Sequence, residues 1–248
     1  MTALLAFDTA TERMSIALKA RARVWSVEAP GGAAASTTLI PAILALLAGA
    51  GVALRDLDAI AFGRGPGAFT GLRTACSVAQ GLAFGAGKPV LPVDTLLAVA
   101  EDARGAADAM TLWVTMDARM NEIYAAEYRF HAQRWQVLHA PMLISPEALN
   151  QRWRDAPPAH VAGNALAGFG ARLQPNGAVL LPDAWPRAAA MLPLAEAAWD
   201  RGAAVDAALA LPLYLRDKVA QTTIERDAVR ALKSTPAATA GSAVRTGP

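Results

Sequence analysis

Three groups of residues carry types and spacing that could do chemistry. The first is "GRGPGAFTGLR" (63–73), dense in glycine, with a proline and two arginines, just after the apolar run "LDAIAF". A phosphate loop needs Gly, four residues, Gly, Lys and then Ser or Thr, and no Lys follows any of these glycines. Gly63-Arg64-Gly65-Pro66-Gly67-Ala68 satisfies the G-x-G-x-x-A dinucleotide pattern on paper, with Asp94 ending the next strand. That pattern needs a helix to start within the glycines, whereas Pro66 intervenes and the helical periodicity begins near Thr70. The sequence favours a rigid turn instead. Glycines 65 and 67 permit positive φ around Pro66, and Thr70 caps the helix that follows.

The second group is Asp8 and Asp117, each closing an apolar, strand-like run ("ALLAFD" and "TLWVTMD"). As a pair such carboxylates could hold Mg²⁺. The alternative, which the sequence favours, is that each caps its own turn through nearby N–H groups. The third is Cys76, the single cysteine. It excludes an internal disulfide and a cysteine-based metal cluster, and fits a reducing cytoplasm. It falls on the apolar side of a helix and reads as a core thiol. A protease would need an activated Ser or Cys beside a His, and no such motif is visible.

These residues must be positioned by regular elements. Strands are expected at 3–8, 14–20, 22–28, 57–62 and 88–93, with helices at about 37–48, 70–85 and 94–104. "RGAADA" (104–109) reads as a boundary. Strands at 111–117, 122–130 and 134–140 follow, then a helix from near Ser145, a short strand at 159–164 and a helix at 187–202 closed by Gly202. Each half therefore opens with a strand ending in Asp, a short turn and two more strands. This order predicts an α/β, duplicated actin-like (ribonuclease H-like) fold of two βββαβα-type halves, residues 1–105 and 106–218, facing each other across a cleft. Residues 219–248 read as a tail, largely disordered, since 234–248 are small, polar and proline-bearing.

Composition sets outer bounds. Of 248 residues, 54% are apolar and 18% charged, with a net charge of +2, too mild to imply nucleic-acid binding by charge alone. Residues 29–54 carry no charge, but their apolar part starts at Leu39 and contains Pro41, Gly49 and Gly51. That falls short of the roughly 20 residues a membrane span needs. A soluble helix is the better reading, capped by Thr37 or Thr38, with Pro41 in its first turn and Gly49 to Gly51 ending it. "MTALLAFD" lacks the basic region of a signal peptide.

"FGRGPGAFTGLR" is very similar to the Gly-Pro-Gly-Ser-Phe-Thr-Gly-Leu-Arg signature of the bacterial TsaB (YeaZ) family. "LLAFDTATERMSIAL", "MDARMNEIYAAEY" and "LPLYLRDKVA" (211–220) resemble that family as well, in order, from residue 4 to about 220. Where many members carry a His-Ser pair ahead of "LIP", this chain has "AASTTLIP", a departure that bears on a local interface contact.

The resemblance implies a non-catalytic paralogue of the transferase TsaD, with no cofactor of its own. It would work with TsaD and the ATPase TsaE to make threonylcarbamoyladenosine at position 37 of tRNAs that read codons beginning with adenine. It implies a cytoplasmic protein that meets tRNA only through the complex. It also implies TsaD binding through helices of the N-terminal half, with a homodimer covering the same surface when TsaD is absent. On that basis the expected partner surface joins helices 37–48 and 70–85, with candidates Leu39, Ile43, Leu46, Arg73, Ala75, Ser77, Ala79, Gln80 and Ala83. Ala75, Ala79 and Ala83 form a smooth strip that lets another backbone approach. A TsaD-like metal site would need two histidines about four residues apart on one helix; His131, His139 and His160 lack that spacing. An actin-like ATPase would need glycine after the first Asp, and Asp8 is followed by Thr9-Ala10-Thr11 and Asp117 by Ala118-Arg119. Asp8 and Asp117 are thus expected to be vestigial cleft carboxylates, against the alternative of an independent actin-like phosphotransferase.

Overall fold

The first strands form because "LLAF" is apolar throughout and "MSIALKA" is mostly so, which suits positions buried on both sheet faces. The computed structural model describes residues 2–216. In order, it has β1 (Leu4–Asp8), β2 (Arg13–Ala20), β3 (Arg23–Pro30), α1 (Ala35–Ala50), β4 (Ala59–Gly65), α2 (Phe69–Ala86), β5 (Val90–Asp94) and α3 (Thr95–Arg104). The second series is β6 (Met110–Asp117), β7 (Ile123–His131), β8 (Arg134–Ile144), α4 (Pro146–Asp155), β9 (His160–Ala162), α5 (Ala165–Phe169), β10 (Val179–Leu181) and α6 (Ala188–Asp200). The expected tail, 219–248, lies outside the described residues.

The two series make two five-stranded sheets, ordered β3-β2-β1-β4-β5 and β8-β7-β6-β9-β10. In each, the first three strands pair antiparallel, the fourth pairs parallel with the first, and the fifth pairs parallel with the fourth. The duplication is therefore one of topology, strand for strand. β10 and α5 carry no clear pattern of their own in the sequence.

α1 and α2 cover one face of the first sheet, where Leu39, Ile43, Leu47, Ala75, Ala79 and Ala83 join Phe7, Ile16, Leu18 and Phe62 in a common core. Burying a leucine or isoleucine there is worth roughly 2 kcal/mol. Its other face takes α6, through Met191, Leu192 and Ala195. α3 packs Leu96, Val99 and Ala100 on Leu112, Val114 and Met116 of the second sheet. The closing helix of each series thus contacts the sheet of the other, and the described residues up to Leu215 form one compact unit.

Expectations at two helix starts fail. α1 begins at Ala35 rather than Thr37, out of a preceding 3₁₀ turn, so Pro41 sits inside the helix and not in its first turn. Thr37 and Thr38 do not cap it; both hydroxyls donate to the carbonyl of Ala34. Thr70 does not cap α2 either, which starts one residue earlier from Ala68. Gly51 ends α1 in the left-handed conformation. Gly32–Ala50 has the length and composition of a membrane span, but its leucine–isoleucine ridge lies in the core of the first sheet.

Candidate functional site

The glycine stretch is shaped by what it packs against. A Cβ on Gly63 would stand 1.8 Å from Asp8 Oδ2, one on Gly67 2.5 Å from the Ala10 Cβ, and one on Gly71 1.9 Å from the Thr9 carbonyl oxygen. Only glycine fits at these positions, because the turn after β1 lies directly on them. Of the two glycines beside Pro66, Gly65 has positive φ (+112°). Gly67 does not, contrary to expectation; it is small because Ala10 occupies the space.

Three backbone donors around the first turn and the glycine stretch are already used. The Ala10 N–H donates to Asp8 Oδ1 at 2.7 Å. The Ala68 N–H donates to the Ala10 carbonyl at 2.8 Å. The Gly65 N–H donates to Thr95 Oγ1 at 3.1 Å, and Thr95 in turn donates to Asp8 Oδ2 at 2.9 Å. Thr9 locks the arrangement by donating to the Gly71 carbonyl. "GRGPGAFTGLR" and "DTAT" are thus two halves of one knot. Asp8 is its centre, buried to 1% exposure. Desolvation pushes its pKa up to about 6, against the lowering effect of the Ala10 and Thr95 hydrogen bonds.

Asp117 holds the matching place in the second sheet with more access to solvent. Its Oδ1 accepts from the Arg119 N–H at 2.7 Å, and its own N–H donates to Asn164 Oδ1. The turn beyond it puts Arg119, Met120 and Asn121 all at positive φ, a conformation that costs such residues about 1 kcal/mol each. The Arg119 guanidinium pairs with Asp117 and also with Glu12 from the first sheet's turn. The two turns therefore touch across the cleft. Behind them lies a cavity of about 410 Å³, lined by Glu12, Arg13, Met116, Asn164, Trp185 and Arg187 among others.

Cys76 is buried, and its thiol donates to the Ala210 carbonyl. His139 pairs with Glu127 and His160 meets the Thr111 carbonyl. Among the described residues, no Ser, Thr or Cys side chain hydrogen-bonds a histidine, and no group of three metal-binding side chains exists.

The expected partner surface needs correcting. Leu39, Ile43, Ala75, Ala79 and Ala83 are 0% exposed. They are the inner faces of α1 and α2, and the alanine strip exists so that α2 can lie close to the chain's own sheet. Leu46 is half-buried; Gln80 is too, and its side chain donates to the Ala210 carbonyl. Arg73 and Ser77 do face outward. Beside them stand residues the sequence reading missed. These are Ile40 and Leu44 on α1, Phe84 on α2 at 80% exposure, and Leu209 and Leu211 on the segment that crosses α2 at Ala210. In a helix apolar on all sides, like α1, pattern does not tell Leu39 and Ile43 from Ile40 and Leu44, and only packing separates them.

The duplicated sheets, with an acid at the end of each first strand and a cleft between, define a duplicated actin-like α/β fold. Residues 31–174 match the family model for TsaD, tRNA N6-adenosine threonylcarbamoyltransferase. The chain is 35% identical over 227 residues to the tRNA threonylcarbamoyladenosine biosynthesis protein TsaB of Haemophilus influenzae, covering 87% of this chain and 94% of that one. It is 34% identical to the Escherichia coli protein of the same name, covering 88% and 96%. Two solved structures superpose closely. One is YeaZ from Pseudomonas aeruginosa (40% identity, TM-score 0.78, 87% of this chain and 100% of that one). The other is an uncharacterized Pseudomonas aeruginosa protein described as similar to peptidase YeaZ (39%, 0.80, 87% and 100%). The chain belongs to the TsaB (YeaZ) family.

Proposed function

We infer that this chain is a non-catalytic subunit in the synthesis of threonylcarbamoyladenosine on tRNA, acting with a TsaD-type transferase and a TsaE-type ATPase. The reading takes its pathway from the relatives and its substrate position, adenosine 37 of tRNAs reading codons that begin with adenine, from the family resemblance. The observation that carries the non-catalytic part is the knot at Asp8. The N–H groups of Ala10, Gly65 and Ala68 are bonded within the chain, and three glycines are filled by the turn they face. A phosphotransferase would need that space and those donors free. The same packing argues against the alternative of an independent actin-like ATPase.

The transferase would dock on the outer face of α1 and α2, where Ile40, Leu44 and Phe84 are exposed, with Arg73 about three turns before Phe84 on α2. Exposed apolar groups gathered on one face mark interaction sites. A second copy of this chain could cover the same face when the transferase is absent. The reading places the protein in the cytoplasm, with no membrane role. The test is co-purification with the cognate TsaD-type protein, followed by modification of unmodified tRNA with and without this chain. Sustained ATP hydrolysis by the chain alone, or full modification without it, would refute the reading.

A further inference from the structure

We propose that the hairpin end of β7 and β8 is a contact surface for the phosphate backbone of tRNA. The register places His131 opposite Arg134 and Arg129 opposite Gln136. Side chains at 129, 131, 134 and 136 therefore share one face, with Arg129 and Arg134 diagonal neighbours about 7 Å apart. All four are exposed. Among the described residues, no carboxylate lies within 4 Å of either arginine.

Like charges side by side on a strand pair are mutually destabilising, whereas the less exposed Arg64, Arg104 and Arg187 are each paired with an acid, Asp94, Glu101 and Asp102. Acids close to these strands are engaged: Glu127 holds His139, and Glu101 pairs with Arg104 and accepts from the Trp135 indole N–H. The basic field continues onto the last turn of α4. His139 stacks on Trp113 at 5.1 Å and Trp153 packs edge-on against the same ring at 6.4 Å, which sets Arg152 and Arg154 beside the strand pair. Those two also suit a helix C-terminus on their own account, so the weight falls on Arg129 and Arg134.

Guanidinium groups at this spacing, on a rigid strand pair, match phosphate oxygens in a bidentate fashion. RNA is the anionic partner that the family's pathway supplies. The inference rests on the tRNA pathway reading above but not on the docking face, and it departs from the expectation that tRNA is met only through the complex.

The experiment measures binding of the full chain to a fluorescein-labelled, unmodified tRNA transcript by anisotropy, across 50–200 mM salt. R129E/R134E is compared with R21E/R23E, which makes the same charge change at the equivalent hairpin of the first sheet. The expected result is tenfold or greater loss of affinity for R129E/R134E only. The slope of log K against log[salt] should become shallower by about 2, with thermal unfolding unchanged. Equal loss in both variants, no loss in either, or no binding by the wild-type chain would overturn the proposal. So would equally tight, Arg129/Arg134-dependent binding to vesicles of anionic phospholipid, which would make the surface a membrane contact. Transferase co-purification of the same variants separates the two readings. Loss of RNA binding with the partner retained supports this surface, and failure of the docking face leaves the RNA result standing.

Discussion

Replacing Asp8 with Asn should make the protein more stable at neutral pH and flatten its stability profile in mild acid. Asp8 is fully buried, and its pKa stands at about 6 against an ordinary 3.8. Below pH 3.8 the carboxyl is protonated in folded and unfolded chains alike and leaves their balance untouched. Between pH 3.8 and 6 the unfolded chain gives up the proton while the folded chain keeps it, so stability falls as pH rises through that window. Above pH 6 both are ionised and the loss is complete. At about 1.4 kcal/mol per pH unit of separation, the buried charge costs the fold about 3 kcal/mol at pH 7.

Asn keeps the acceptor for the Ala10 N–H. Its amide would face Thr95 Oγ1, which already accepts from the Gly65 N–H and now donates to Asp8. The Thr95 hydroxyl proton then loses its acceptor, at about 1 kcal/mol. The net expectation is a gain of about 2 kcal/mol at pH 7 and a small loss at pH 3.5. Urea unfolding followed by circular dichroism at half-unit steps from pH 3.5 to 8 measures both proteins. Parallel profiles between pH 4 and 6, or a D8N variant less stable than wild type at pH 7.5, would refute the assignment of Asp8 as a desolvated carboxylate held at a cost.

Phe84→Asp should leave unfolding unchanged and reduce capture of the TsaD-type partner at least tenfold, whereas Ala79→Arg should unfold the chain, because it places an unpaired charge in the sheet-facing core. A folded A79R protein by circular dichroism would contradict the packing of α2. Gly71→Ala forces a methyl to within 1.9 Å of the Thr9 carbonyl and should destabilise by about 3 kcal/mol, the upper end for overpacking, read as a drop in urea midpoint. Ala22 holds φ +61° in the β2–β3 turn, so Ala22→Gly should stabilise by about 1 kcal/mol, and a lower melting temperature would show that the turn does not hold that conformation.

Much of the fold is written in local pattern. Apolar runs ending in Asp8 and Asp117, each followed by two further strand-forming runs, foretell the two sheets, because strand formation at these sites depends on local composition and neighbouring turns. Gly51 and Gly202 mark helix ends for the same local reason. The glycine stretch also announces itself, but its purpose does not. Gly63, Gly67 and Gly71 are required by Asp8, Ala10 and Thr9, residues some 55 to 62 positions earlier in the chain, and a contact across that separation leaves no periodicity to read. The division of α1 and α2 into inner and outer faces was equally hidden, since every face of α1 is apolar and the alanines of α2 suit a partner helix or a sheet equally well. Only the sheet's placement beneath them sends Leu39, Ile43 and Ala79 inward and leaves Ile40, Leu44 and Phe84 in solvent. Likewise the pKa of Asp8 belongs to its burial and not to its neighbours in sequence. The sequence by itself determined which elements form and which family the chain resembles, because those depend on short-range order. Tertiary packing decided which residues are surface, which donors remain free and which charges stay unpaired, because each of these is set by groups that meet only when the chain has folded.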